Sequence, residues 1–385
     1  MHNQSRNYKS AGQKQSRAYT QKHDTVLKPQ SYTRKKPVNE RKGNKWVLIV
    51  LSSIVGSILF NTYGKLSEEL VFRRIANSHI KFPIDSQFLH TSEQVLNNDS
   101  FLGTNFIDEV NTANPIMKAP VLTQEMPKLK QRIETLAAGY SDITSGVFVW
   151  DYTNGNYINI NADRQFPTAS IIKLPVLCQL FRRAEAGLVD LNGKMKITEY
   201  YRTEGSGYLQ YRPAGSEFSV PELAGYMIQN SDNTATNMLL SSIGGMEELN
   251  RALRQWGFSQ TYMKTWLPDL NGTNVATPKD FGTILYNIDS PEFLSLQSRA
   301  AIIEIMSHVK NRSLIREGLP ESAQFIHKTG DIGTMLGDAG IVTMPDGHKY
   351  IVVIMTERPW NSFRAKQFIN DASKIIYNSI ASKDY

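Results

Sequence analysis

Hydrophobic residues recur at two different spacings along the last two thirds of the chain. From Met126 to Ala137 they recur every three or four residues, the period of a helix with one buried face. Two runs rich in Val, Phe, Trp, Tyr and Ile follow at 145–152 and 157–160, and Asn154-Gly155 lies between them. Alternating runs around an Asn-Gly pair are typical of a β-hairpin. The pattern therefore predicts a helix followed by two antiparallel strands.

Helical spacing dominates the middle of the chain, and strand spacing returns near its end. The predicted helices are 220–229, 234–242, 246–256, 278–287 and 362–380. The predicted later strands are 324–329, 337–344 and 349–356. Strands at both ends of a region, with helices between and after them, favour an α/β (α+β) fold. We expect a five-stranded antiparallel sheet, flanked by helices, that joins strands distant in sequence.

The first third of the chain lacks such periodicity. Residues 1–45 carry twelve Lys or Arg side chains against two acidic ones, a net charge of +10 within a total of +7. A segment so poor in large aliphatic residues cannot bury enough surface to fold, so we predict a disordered tail. Eighteen uncharged residues at 46–63 predict a transmembrane signal anchor at 46–64. The irregular pattern at 65–125 predicts a stalk, which leaves 126–385 as the folded domain.

Charge next to the apolar segment indicates its orientation. Excess Lys and Arg stay on the cytoplasmic side, so we expect a single-pass inner-membrane protein with a periplasmic or otherwise extracytoplasmic domain. A cleaved secretory signal is the alternative, although Thr62 and Gly64 make only a poor small-x-small cleavage site. A basic tail can also bind nucleic acid, but directly before an apolar segment it is more typical of a topology signal, so no nucleic-acid partner is expected. The single cysteine, Cys178, excludes an intramolecular disulfide.

Candidate chemistry first appears in the stretch FPTASIIKLPV, where Ser170 precedes Lys173 by three residues. On a helix this spacing puts both side chains on one face, so the amine can reach the hydroxyl and take its proton. Apolar neighbours favour the neutral amine that such a base requires. The alternative is a serine helix cap beside a lysine that extends from the core. The same spacing also occurs at 78–81 and 307–310, so further motifs are needed to decide.

Two further motifs follow in order, Ser231-Asp232-Asn233 and Lys328-Thr329-Gly330. With Ser170-x-x-Lys173 they form the ordered trio of the penicillin-recognising serine enzymes. Over 126–382 the chain resembles the class A β-lactamase-like branch of these enzymes. The resemblance includes LPDLNGTNVATP, which is similar to the Ω-loop of that family. It implies a β-lactamase/transpeptidase-like fold, in which an all-helical subdomain accompanies the sheet.

The resemblance implies roles in acyl transfer for several residues. Ser170 would be the acylated nucleophile, Lys173 its base, and Ser231 the relay that brings a proton to the leaving amine. The backbone N–H groups of Ser170 and Asp331 would form the oxyanion hole.

The remaining motif residues would hold the substrate. Lys328 and Thr329, followed by Gly330, would bind its carboxylate by charge-assisted hydrogen bonds. Asn233 would contact the amide on the acyl side. The resemblance implies no metal and no cofactor, and a monomeric catalytic domain.

The chain departs from the family pattern in the Ω-loop. Class A β-lactamases have Glu-x-x-Leu-Asn there, and the glutamate activates the water that releases the acyl group. This chain has Leu267 at the glutamate position and Asn271 at the end of the motif. The combination resembles the cyanobacterial penicillin-binding protein A group of D,D-peptidases, which act on D-Ala-D-Ala stem peptides of peptidoglycan and bind β-lactams. A β-lactamase with another base is the main alternative, and a non-catalytic module that binds cell-wall peptide is a third.

Overall fold

The computed structural model describes residues 117–385. Its central feature is a five-stranded antiparallel sheet in the order β2-β1-β9-β8-β7. The strands of this sheet are β1 (Thr144–Asp151), β2 (Tyr157–Ile160), β7 (Gln324–Ile332), β8 (Met335–Thr343) and β9 (Lys349–Glu357). Two short pairs lie outside it, formed by β3 (Phe166–Pro167) with β6 (Val275–Ala276) and by β4 (Lys194–Lys196) with β5 (Glu217–Ser219). The predicted antiparallel sheet is thus confirmed, and β1 and β9 join the two ends of the domain.

Eight α-helices surround the sheet within residues 117–385. They are α1 (Pro127–Ala138), α2 (Lys173–Glu185), α3 (Val220–Gln229), α4 (Asn233–Ser242), α5 (Gly245–Gln255), α6 (Pro278–Asp289), α7 (Leu296–Ser307) and α8 (Arg364–Ser382). Short 3₁₀ turns lie at Ala169–Ile172, Leu209–Tyr211 and Ile315–Gly318.

Strand β1 shows how the sheet divides the core in two. Val147 and Val149 pack on one side with α1 and α8, whereas Phe148 and Trp150 pack on the other side with α2 to α7. Successive side chains of a strand point to opposite faces, so a strand covered on both faces is hydrophobic over most of its length. All of β1 after Thr144 is accordingly buried.

Element boundaries differ from the predictions by at most three residues, and the largest difference lies at the site. Strand β7 was predicted to end at 329 but continues to Ile332, because β8 pairs with it up to Met335. The serine motif also differs locally, since Ser170 lies in a 3₁₀ turn and α2 begins at Lys173. Helix α7 was not predicted.

The predicted tail (1–45), the anchor (46–64) and the stalk up to residue 116 lie outside the described residues. Residues 117–125, also placed in the stalk, make hydrogen bonds with the domain. For example, the N–H of Thr123 donates to the carbonyl of Gly155 at 2.9 Å, and the indole of Trp150 donates to that of Val121 at 2.9 Å. Among the helices of residues 117–385, none is both long and apolar enough to cross a membrane.

Candidate active site

The side chain of Lys173 is the centre of the site. It is completely buried at the start of α2, and its Nζ lies 3.0 Å from Ser170 Oγ. Nζ also lies 2.5 Å from the carbonyl oxygen of Ser231 and 2.9 Å from Asn233 Oδ1. These two carbonyl oxygens only accept hydrogen bonds, so they can take both protons of a neutral amine. The amine lone pair then remains for the proton of the Ser170 hydroxyl.

The turn that carries Ser170 is held against β7. Ala169, which precedes Ser170, has a φ of 44°, in the left-handed region that L-residues seldom adopt. A side chain at Gly330 would place its Cβ only 2.8 Å from the carbonyl oxygen of Thr168. Glycine is therefore required for this close approach. The contact holds the turn that carries Ser170 against strand β7, which continues through Asp331 to Ile332.

Ser231 lies between two lysines. Its Oγ is 3.2 Å from Lys173 Nζ and 3.0 Å from Lys328 Nζ, and both lysines are buried. The backbone of Ser231 has a φ of 56°, just before α4 begins. A hydroxyl bonded to both amines can pass a proton between the base and a leaving group on its other side.

Burial sets the protonation of both amines. It lowers the pKa of Lys173 well below the usual lysine value, and the nearby charge of Lys328 lowers it further, whereas Asp232 opposes the shift. Burial also lowers the pKa of Lys328, to about 7, against the opposing effect of Asp338. A buried amine loses the hydration of its charged form, and a second cation adds repulsion. Lys173 is thus suited to act as a base at neutral pH.

Strand β7 has polar partners around Lys328 and Thr329 that the motifs did not indicate. Thr329 is buried, and its carbonyl oxygen accepts a hydrogen bond from Lys328 Nζ at 2.8 Å. Behind the strand, His327 Nδ1 lies 2.9 Å from the buried carboxylate of Asp338. Asp338 is directly opposite Thr329 in the β7–β8 register, and its negative charge acts on Lys328 to raise the pKa of that lysine.

Asp331 at the end of the motif is paired with an arginine. The guanidinium of Arg358 donates to its carboxylate, and Arg358 is almost fully buried while Asp331 is half exposed. Partial burial raises the pKa of Asp331, and the Arg358 charge opposes this rise.

The segment 199–212 covers the Ser231 turn from outside. The carboxylate of Asp232 accepts hydrogen bonds from the N–H groups of Tyr208 at 2.7 Å and Leu209 at 2.8 Å. It also caps α4 by accepting from the N–H of Ala235 at 2.9 Å. Gly207 has a φ of 102°, and a Cβ there would lie 2.2 Å from the Asp232 carboxylate. This glycine therefore allows the segment to close over the site.

Asn233 has both ends of its amide engaged. Its Oδ1 accepts from Lys173, and its Nδ2 donates to the carbonyl oxygen of Glu204 at 3.1 Å. Its backbone N–H donates to the carbonyl of Ser206 at 3.0 Å. The amide is thus held at the junction of Lys173 and the covering segment.

The Ω-loop presents an aliphatic side chain where the family has its glutamate. Leu267 is buried, and its backbone is held on both sides by Asn237, whose Nδ2 lies 2.8 Å from the Leu267 carbonyl and whose Oδ1 lies 3.2 Å from the Leu267 nitrogen. The carboxylate of Asp269 is used inside the loop, where it accepts from Thr273 Oγ1 at 3.0 Å. It also accepts from the N–H of residue 274 at 2.6 Å. Asn271 is exposed, and its side chain makes no hydrogen bond with any other residue of 117–385.

The structure brings together most of the predicted residues. Ser170, Lys173, Ser231, Asn233 and Lys328 form one hydrogen-bonded group, and the backbone contact of Gly330 places Asp331 at its edge. The group holds a hydroxyl, a buried amine able to take its proton, and a second hydroxyl that can return the proton. This fold and this arrangement define a penicillin-recognising serine hydrolase of the class A β-lactamase-like type.

Comparison with known proteins identifies the family. Residues 128–380 match the beta-lactamase enzyme family, so the chain belongs to it. The extended-spectrum beta-lactamase PER-1 of Pseudomonas aeruginosa is 26% identical over 261 residues, which cover 64% of this chain and 84% of that protein. A beta-lactamase of Streptomyces fradiae is 27% identical over 231 residues, which cover 56% of this chain and 74% of that protein. Family membership supports binding of β-lactams.

Two solved structures are more similar in sequence. A structure of PBP-A has 35% sequence identity and a TM-score of 0.67, and the match covers 69% of this chain and all of that one. A leucine-to-glutamate mutant of PBP-A, solved as an acyl-enzyme complex with penicillin G, has 34% identity and a TM-score of 0.66. That match covers 70% of this chain and 99% of the other.

Proposed function

We propose that this chain is a D,D-peptidase and penicillin-binding protein that acts on D-Ala-D-Ala stem peptides of peptidoglycan. In this proposal Ser170 attacks the carbonyl between the two D-alanines while its proton passes to Lys173. Ser231 then delivers a proton to the departing D-alanine nitrogen, so the peptide bond breaks and an acyl-serine ester remains. Lys328 in its protonated form and Thr329 hold the terminal carboxylate. Water or an amine afterwards takes the acyl group from Ser170.

The observation that carries the proposal is the buried Leu267. Release of a penicilloyl group needs a water made nucleophilic by a nearby base. Leucine cannot accept a proton, and the Asp269 carboxylate is already used within the loop. A natural D-alanyl ester differs because its leaving group departs and opens a path for water or an amine. An opened β-lactam keeps its leaving group tethered, so its ester would persist.

A β-lactamase is the second candidate, because the curated relatives named above are all β-lactamases. The two functions differ in the fate of the acyl group. A D,D-peptidase would keep a fluorescent penicillin for minutes or longer and would release D-alanine from a peptide ending in D-Ala-D-Ala. A β-lactamase would release penicilloate within seconds. A non-catalytic binder would not be labelled at all.

One experiment separates these possibilities. The full chain is incubated with a fluorescent penicillin, and the label is followed after excess drug is removed, while D-alanine release is measured in parallel. Ser170→Ala, which deletes one half-buried hydroxyl, is the matched control and should abolish both signals without loss of folded protein. Fast loss of label from the unchanged protein would refute the peptidase proposal in favour of the β-lactamase. Labelling of the Ser170→Ala protein would show that another residue is acylated.

We also propose that a signal anchor at 46–64 tethers the enzyme to the inner membrane with its catalytic domain outside the cytoplasm. The basic residues of 1–45 and the uncharged segment after them support this orientation. A reporter enzyme that works only outside the cytoplasm should be active when it is fused after Tyr385, and one that works only in the cytoplasm should be inactive. The protein should also fractionate with membranes. Recovery of a soluble secreted form that begins near Lys65 would replace the anchor with a cleaved signal.

A further inference from the structure

Exposed tyrosines are concentrated in the segment 199–212, which covers the Ser231 turn. Four tyrosines of residues 117–385 are at least 40% exposed, and three of them lie at 199–212. These three, Tyr200, Tyr208 and Tyr211, are 77%, 55% and 78% exposed. We call them the tyrosine patch. Exposed aromatic side chains that cluster at one place mark binding surfaces more often than scattered ones do.

The tyrosine patch is fixed to the catalytic residues. Tyr208 donates from its backbone N–H to Asp232, the residue after Ser231. At the other end of the patch, Tyr200 makes an edge-to-face contact with Trp266, at 6.4 Å between ring centroids. Trp266 directly precedes Leu267 of the Ω-loop. One end of the patch is therefore anchored beside Ser231 and the other beside Leu267, at the edge of the site.

The charges around the patch are mixed, with one cation in excess. Glu199 and Arg202 form an ion pair at 2.6 Å. Arg212 is exposed, and its guanidinium has no partner among residues 117–385. The ammonium of Lys310 lies 5.7 Å from the centre of the Tyr208 ring. With Glu204 as the remaining acid of the segment, the surface carries a small positive charge.

We propose that the tyrosine patch binds the glycan strand of peptidoglycan beside the stem peptide that is being processed. The proposal rests on the proposed function. A phenol ring offers an apolar face to the C–H groups of a pyranose and a hydroxyl to its polar groups, and it loses little conformational entropy on binding. Arg212 and Lys310 complement the carboxylates of neighbouring stem peptides. Soluble short peptides would not use this surface, whereas the intact polymer would.

The test measures binding of the full chain, in detergent, to insoluble peptidoglycan sacculi. Ser170→Ala is the background, so that no substrate is consumed. Adding Tyr200→Ala and Tyr211→Ala together should weaken co-sedimentation with sacculi about tenfold or more, the usual effect of losing two aromatic anchors. Tyr262→Ala, an exposed tyrosine outside the segment, is the matched control and should bind like the parent. Peptide-free glycan strands should compete for the parent protein.

Several results would overturn the proposal. Unchanged sedimentation of the double variant would do so, and so would competition by free stem peptide but not by peptide-free glycan. If the double variant lost binding to anionic lipid vesicles but kept its binding to sacculi, the patch would be assigned to the membrane instead. In the protein that keeps Ser170, Tyr200→Ala and Tyr211→Ala should leave penicillin labelling unchanged. Failure of labelling in the unchanged protein would refute the proposed function, while sacculus binding would still report on the patch.

Discussion

Replacement of Leu267 by glutamate tests the Ω-loop argument most directly. Leu267 is 5% exposed, its carbonyl oxygen accepts a hydrogen bond from Asn237 Nδ2, and its N–H donates to Asn237 Oδ1. The backbone position of a glutamate at residue 267 would therefore be fixed by the same two hydrogen bonds. Burial of its carboxylate should raise the pKa of the new group, which strengthens the base but lowers its ionised fraction at neutral pH.

The expected gain follows from general-base catalysis. A positioned base contributes about 10² to 10⁴ in rate, and about 10²-fold corresponds to about 2.7 kcal/mol of barrier. We expect the lower end, because the carboxylate is buried and the loop is shaped around leucine. The penicilloyl adduct of Leu267→Glu should thus decay about 10²-fold faster than that of the unchanged protein. Its stability should fall, since a charged group replaces a buried aliphatic one.

The assay acylates each protein with penicillin, removes free drug and follows the adduct by intact-protein mass. Leu267→Gln is the closest control, because it has nearly the same shape as glutamate but cannot act as a base. Leu270→Glu adds a carboxylate at a position of the same loop that is 61% exposed. Equal acceleration by glutamine and glutamate would refute the reasoning, since loosening of the loop, and not base catalysis, would then explain the faster decay.

Three further predictions concern the lysines and the covering segment. Lys173→Ala should slow penicillin acylation by a larger factor than Lys328→Ala, because the first loses the base and the second loses binding energy. The kcat/KM for substrates with a free carboxylate should fall as the pH rises through about 7, because Lys328 then loses its charge. Asp338→Asn should move this fall to lower pH, because it removes the negative charge that raises the pKa of Lys328. Gly207→Ala should destabilise the fold by about 2 kcal/mol or more and impair acylation, because its Cβ would overlap the carboxylate that caps α4.

Each of these has its own control. Stopped-flow acylation rates compare the two lysine variants, and equal losses would argue against separate roles. A substrate whose terminal carboxylate is an amide should not show the fall above pH 7, and an unshifted profile in Asp338→Asn would contradict the electrostatic account. Thermal unfolding compares Gly207→Ala with Gly215→Ala, which also has a positive φ but no atom near the added Cβ. Similar losses from the two alanines would show that backbone strain alone is responsible.

Local patterns were sufficient for the strands of the sheet, for most of the helices and for one contact of the site. The strands of the sheet follow from their largely apolar runs, because a strand buried on both faces is hydrophobic at most of its positions. The contact of Ser170 with Lys173 also follows from sequence, since residues three apart on a turn or helix share a face. The 3.0 Å distance between Ser170 Oγ and Lys173 Nζ agrees with that expectation.

Motif order indicated the partners from distant segments, but only the tertiary structure sets their geometry. Ser231 and Lys328 are separated by 97 residues, yet their side chains lie 3.0 Å apart. The reason is the sheet order, which places β7 at the edge beside the Ser170 turn, and the glycine that lets the two backbones touch. Spacing along a chain carries no information about such a contact.

The charged residues that surround the site without being a recognised part of a motif could not be predicted at all. Asp232 was noted only as the middle of its motif, and Arg358 and Asp338 were not noted, because a single charged residue in a loop or strand has no distinctive local pattern. Their effect on a pKa depends on burial, because two charges interact more strongly away from water. Asp338 raises the pKa of Lys328 because both side chains are buried. The protonation of the two lysines is therefore a property of the folded chain, whereas the motifs that contain them were already evident in the sequence.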